Sequence, residues 1–192
     1  ALDGDMSTQG QARMWSLLGV ARYHLGDLAE AAEAFSNELD AYDEIGHDAW
    51  IASAHGNLAE VSLHLGDRVA AAHHQQRCLE LASALGMSVM LAYSCIVAAR
   101  LGGERGDWQL ATRLQAGAEA ALDAMGQELY AADREAVDRF LDEARSALGE
   151  ASFEREVLFG ETLELSSAVE LANEVLSGVE QEGSDPIGTD RG

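Results

Sequence analysis

The strongest constraint on this chain is a spacing between glycines. Leu25-Gly26-Asp27 is echoed 40 positions later by Leu65-Gly66-Asp67, and 40 positions after that by Arg105-Gly106-Asp107. Ile45-Gly46, Leu85-Gly86 and Met125-Gly126 keep the same 40-residue period, half a period out of step. Two markers that hold one spacing through three periods are an internal repeat, each repeat a supersecondary unit stacked on its neighbours. A glycine just past a helix accepts the left-handed backbone that costs a residue with a Cβ about 1–2 kcal/mol. The aspartates after Gly26, Gly66 and Gly106 are placed to cap the next helix, a carboxylate at the positive end of its dipole. Asp27 also has Glu30 three residues on, the spacing of a capping box. The predicted unit is helix A, a Gly-Asp turn, helix B and a Gly turn.

Composition agrees. One Pro in 192 residues, with abundant Ala, Leu and Glu, favours helix nearly throughout. The net charge is −22 and every basic residue is Arg. Such a field repels phosphate backbones and anionic lipid, so neither nucleic acid nor a membrane surface is expected as a partner of this segment. Cys78 and Cys95 show no metal or redox spacing and read as buried reduced thiols, which points to the cytoplasm. The chain has no apolar run long enough to span a bilayer, which takes about 18 residues or more. Ala1-Leu2-Asp3-Gly4-Asp5 reads as the tail of something earlier, so a fragment of a longer protein is expected.

Residues 1–7 are expected to be a frayed leader, and residues 8–126 three repeats of 40 residues. Thr8 with Gln11 is read as the cap of a first helix that runs to about Leu25, with Met14, Trp15, Leu18, Ala21 and Leu25 turned inward. Helices follow over about Leu28–Ile45, Ala49–Leu65, Arg68–Leu85, Ser88–Gly102 and Trp108–Met125. Residues 127–177 read as a degenerate fourth repeat with capping helices. It has a longer helix over Glu128–Ala147, a short one carrying Phe153, Val157 and Leu158, and a last piece capped by Ser167 with Glu170. Residues 178–192, with the only Pro, read as a disordered acidic tail.

The unit resembles the tetratricopeptide repeat, whose pattern runs W-x2-L-G-x2-Y, then A-x3-F, then A. Trp15, Leu18, Gly19, Ala31 and Phe35 fall on it, while Tyr23 is one place late and Glu38 stands where the last Ala would be. The second unit supplies Leu58, Ala59, Ala71 and Cys78, with Gln75 for the aromatic. The third supplies Ala98, Ala99, Ala111 and Ala118, with Gln115. The resemblance implies an all-α fold: a right-handed superhelical solenoid of antiparallel helix pairs with C-terminal capping helices. Leu148-Gly149-Glu150-Ala151-Ser152-Phe153 and Leu165-Ser166-Ser167-Ala168-Val169 also resemble the C-terminal arm of large bacterial signal-transduction NTPases and LuxR-type transcriptional regulators.

By this resemblance the A helices line a peptide-binding groove, whose candidate residues are Arg13, Tyr23, His24, Asn57, Glu60, His64, Tyr93 and Arg100. Asn57 is the sharpest, since a carboxamide both donates to and accepts from a ligand backbone. His24 and His64 are repeat equivalents, but two imidazoles on neighbouring helices do not complete a metal shell. Neither a phosphate loop nor a nucleophile–base order is present. No metal, no cofactor and no catalysis are expected. The implied function is a protein- or peptide-binding scaffold, the sensor or regulatory arm of a larger bacterial regulator. Its partner would be a peptide, a protein segment or a sister domain of the same protein. The alternative is a structural or oligomerisation domain, for instance a homodimer, with no groove ligand.

Overall fold

The computed structural model describes residues 7–129 and 131–184. These form nine helices: α1 (Thr8–Leu25), α2 (Leu28–Ile45), α3 (Asp48–His64), α4 (Arg68–Leu85), α5 (Ser88–Glu104), α6 (Trp108–Ala124), α7 (Ala131–Leu148), α8 (Glu150–Glu161) and α9 (Leu165–Ser184). No strand occurs among the described residues. The fold is all-α and tetratricopeptide-like, built from consecutive helix pairs. The chain divides into two compact units, residues 1–85 and 86–192.

The glycine beat sets the helix ends. Gly26, Gly46, Gly66, Gly86, Gly106 and Gly126 all have positive φ, between 66° and 85°. At the end of α1 the Asp27 N–H donates to the Arg22 carbonyl and Gly26 N–H to that of Tyr23, each at 3.0 Å, which satisfies carbonyls the helix leaves open. The same pair of bonds closes α3, with Asp67 N–H on Ser62 and Gly66 N–H on Leu63. A Cβ on Gly66 would meet nothing within 4 Å, so the constraint there is the backbone alone, φ +79°. Gly66→Val is therefore expected to cost at least about 1–2 kcal/mol. Gly56→Ala, whose Cβ would sit 3.5 Å from Cys78 Sγ in ordinary contact, should instead gain up to about 1 kcal/mol of helix propensity. Urea titrations of the two variants check this, and equal midpoints would show that residue 66 is not a helix terminus.

The aspartate caps divide. The Asp67 carboxylate accepts from the Ala70 N–H at 3.0 Å, as the spacing predicts. Asp27 makes no side-chain cap; its carboxylate turns back to Arg22 Nη1 at 2.8 Å, so the expected capping box with Glu30 does not form. Asp107 likewise makes no cap and faces Arg105 at 3.5 Å. In both cases a guanidinium offers the carboxylate a full charge, where the helix terminus offers partial ones. Helix α1 is capped by Ser7, whose side chain accepts from the Gly10 N–H, not by Thr8, which is already helical.

In the first unit α2 packs against α1 and α3, and α4 against α3. Gly19 lies so close to Phe35 that a Cβ would fall 2.5 Å from the ring, which is what the small residue of the repeat pattern is for. Phe35 clusters with Ala31, Leu58 and Val61, and Tyr42 with Ala12 and Ile51. The expected inward stripe of α1 is largely outward. Only Ala12 and Gly19 are buried there, while Met14, Leu18 and Leu25 are exposed, because α2 is the helix packed along it.

In the second unit α5 pairs with α6, and the repeat positions Ala98, Ala99, Ala111, Gln115 and Ala118 are all fully buried. Helices α8 and α9 then close this pair, α8 along α6 and α9 chiefly along α5, with α7 in lighter contact. Helices α8 and α9 thus fold back on the α5–α6 pair. Close approach makes it fit: a Cβ on Gly117 would meet the Gly160 carbonyl at 3.2 Å. Helix α9 starts at Leu165, so Ser167 lies inside its first turn instead of capping it. Because α9 runs to Ser184, residues 178–184 of the expected tail are helical, and the rest of that tail lies outside the described residues, as do residues 1–6 of the expected leader.

Candidate functional site

On the first unit, α1 presents Arg13, Ser16, Tyr23 and His24, and α3 presents Asn57, Glu60 and His64, each set at helical spacing along one side. The two helices meet through these side chains. The Tyr23 hydroxyl donates to Glu60 Oε1 at 3.3 Å and lies 3.4 Å from His64 Nδ1. The Tyr23 and His64 rings meet edge to face, with centroids 5.4 Å apart. His64 Nδ1 is also 3.0 Å from the Glu60 carbonyl and 3.5 Å from its carboxylate. Tyr23, Glu60 and His64 form one interlocked wall, and His24 lies against it with its ring 5.7 Å from that of Tyr23. The tyrosine that is one place late in the repeat pattern thereby finds its partner on the next repeat.

One turn or more from this wall the surroundings change. Glu38 of α2 is wholly buried, and neither of its carboxylate oxygens has a partner with full hydrogen-bond geometry. Burial pushes its pKa up, against the opposing pull of Ser16 and Asn57, which stand beside the carboxyl and favour its charged form. Beneath them Tyr42 has its phenol pKa raised by burial and then by the charge of Glu38, while Arg13 pulls it down. Asn57 and Ser16 are half-buried and Arg13 is exposed. The residue that repeat reasoning noted only as a misplaced Ala therefore sits under the sharpest groove candidate. A charged residue at an inward position of a helical period was the signal available.

A second polar pair, one ring buried and the other half-buried, links α3 and α4. His55 Nδ1 and His74 Nδ1 are 3.0 Å apart, close enough for one ring to donate to the other. Burial first, then the neighbouring His74, Arg77 and His73, lowers the His55 pKa to about 4. His74 is lowered too, by burial and His73, with Asp67 opposing. This pairing was not legible in the histidine spacing. Among the described residues no group of three or more His, Cys, Asp or Glu side chains is arranged to hold a metal.

In the second unit Tyr93 and Arg100 stand two turns apart on α5, both half-buried. Arg113 of α6 pairs with Glu156 of α8, which is 2 % exposed, and its guanidinium also lies 4.7 Å from the centroid of the Phe159 ring. Burial raises the Glu156 carboxyl, but Arg113 and Arg155 outweigh it and hold the pKa below its usual value. Cys78 and Cys95 are free and buried, and burial pushes the Cys95 thiol up to about 12, far from a reactive thiolate. No helix among the described residues is long and apolar enough to cross a membrane.

No curated protein matches this chain. Residues 10–84, which span α1 to α4 and hence the first unit, match the family model described as tetratricopeptide repeat, and that match supports the tetratricopeptide repeat family for this part of the chain.

Proposed function

We propose that the chain is a protein- or peptide-binding scaffold in which the α1–α3 face of the first unit holds an extended segment. The observation that carries this reading is the make-up of that face. A fixed wall of Tyr23, Glu60 and His64 stands beside Asn57, a carboxamide able to pair with both the N–H and the C=O of a ligand backbone. Tyr93 and Arg100 remain candidates for a contact made by the second unit on its own. The resemblance of the closing segments to regulator arms supports reading the scaffold as a part of a larger bacterial protein of signal transduction or transcription control, and the two free, buried thiols support the cytoplasm. The strongly negative field leaves nucleic acid and anionic membrane out of this reading.

The test is an array of short extended peptides, followed by hydrogen exchange on the peptides retained. Protection of α1 and α3 is expected, and Asn57→Ala should weaken those peptides by about 1–3 kcal/mol with helix content unchanged. Protection confined to α2 and α4, or unaltered binding by the variant, would sink the groove reading. One observation favours the second reading, a structural or oligomerisation role. Leu17 is 73 % and Leu25 74 % exposed on α1, with Met14 and Leu18 also exposed, a set of large apolar side chains on one helix open to water. Sedimentation equilibrium distinguishes it, since a dimer weakened by Leu17→Glu would support self-association.

A further inference from the structure

A buried carboxyl without a partner is costly, because an ionised carboxylate has about four lone-pair sites and loses water at all of them. Glu38 is fully buried, and neither of its oxygens has a partner with full hydrogen-bond geometry, Ser16 and Asn57 being the polar side chains beside it. It occupies the place where the repeat pattern has a small residue, so an apolar side chain would meet the packing requirement at that position. What surrounds it is also informative. Ser16 and Asn57, the two side chains that favour its charged form, belong to the face described above and are half-buried, so both reach towards the carboxyl and are open in part to solvent.

We infer that Glu38 is the buried anchor of a binding site for a cationic side chain, an Arg or Lys carried by a peptide segment, with Ser16 and Asn57 as its gate. This rests on the groove reading and names its ligand class. A guanidinium or ammonium supplies several donors to one carboxylate, which is what Glu38 lacks. A hydroxyl and a carboxamide can also bond to the incoming segment. The chain's net charge of −22 draws such a partner in. Arg13 is the local opponent: its charge acts on Tyr42, the next inward residue of α2 beyond Glu38.

The experiment uses the full 192-residue chain. It is titrated with acetyl-Ser-Gly-Arg-Gly-Ser-amide and with the neutral counterpart carrying citrulline, while the Asn57 side-chain amide and the Ser16 backbone are followed by NMR. The Arg peptide should shift both signals saturably and bind about tenfold more tightly than the citrulline peptide. Glu38→Gln should abolish that difference and melt no lower than the parent at pH 7, since it replaces a wholly buried ionisable group by a neutral one at nearly constant volume. Arg13→Gln should leave the Arg peptide bound as well or better. Equal affinity for the two peptides at the α1–α3 face would overturn the Glu38 site and leave the groove reading standing. Absence of shifts with either peptide would remove both. A lower melting temperature for Glu38→Gln, or weaker binding by Arg13→Gln, would show that the carboxylate is already engaged inside the fold, and would overturn the inference as well.

Discussion

Gly160→Ala should destabilise the second unit by about 3 kcal/mol, at the upper end of what overpacking by one methyl costs. The reason is the closeness of α8 to α6. A Cβ at residue 160 would sit 2.5 Å from the Arg113 carbonyl oxygen, 3.1 Å from its carbonyl carbon and 2.8 Å from Ala116 Cβ. None of these is the movable end of a side chain. Relief requires one helix backbone to shift, and that shift would strain the Arg113–Glu156 pair and the contact of Arg113 with Phe159. Gly178→Ala is the control, because its Cβ would meet only the Arg105 guanidinium, at 2.5 Å, the far end of a flexible side chain. Arg105 is held by Glu182 at 2.8 Å across an exposed surface, so its displacement should cost about 1 kcal/mol or less. Denaturant titrations followed by circular dichroism compare the two. Equal losses would mean that α8 does not lie against α6 as closely as described.

Acid should weaken the first unit through His55 and His74. Both have pKa values lowered in the folded state, His55 to about 4, chiefly by burial. Between that value and the ordinary 6.5 the unfolded chain binds more protons than the folded one. The contribution of the pair is therefore complete above pH 6.5 and is lost as the pH falls from there towards 4. For His55 alone the loss is about 2 kcal/mol at pH 5. Geometry adds to it, since with both rings protonated two N–H groups would face each other across 3.0 Å. Two effects run the other way: neutralising carboxylates relieves a net charge of −22, and Glu38, whose pKa is raised by burial, takes up a proton more readily folded than unfolded. The measurement is thus a difference. Urea midpoints at pH 7.5 and pH 5 are compared for the parent and for His55→Gln, and the parent should lose more between the two. Parallel pH profiles would show that the histidine pair does not titrate with folding.

The glycine-marked ends of α1 to α6 and the order of these helices were legible in residues alone, and the physics is local. A left-handed φ at Gly26, Gly46, Gly66, Gly86, Gly106 and Gly126 is a property of a few bonds, which glycine accepts and other residues resist. For the same reason Arg68–Leu85 and Leu28–Ile45 could be bounded to the residue. The small residues of the repeat pattern, Gly19 and Ala59 among them, were also readable as places of close helix approach. Tertiary structure decided what depends on which distant groups meet. Asp27 had a helix terminus and a guanidinium within reach, and only the folded geometry settled on Arg22. The face of α1 turned inward by periodicity is mostly exposed, because burial needs a neighbour and not merely an apolar stripe. Gly117 and Gly160 carry no repeat signal, yet their close approach lays α8 on α6. His55 meets His74 from another helix, and Glu38 comes to rest under Ser16 and Asn57 from two more. Such juxtapositions are absent from any single stretch of sequence, since each depends on the packing of separate helices.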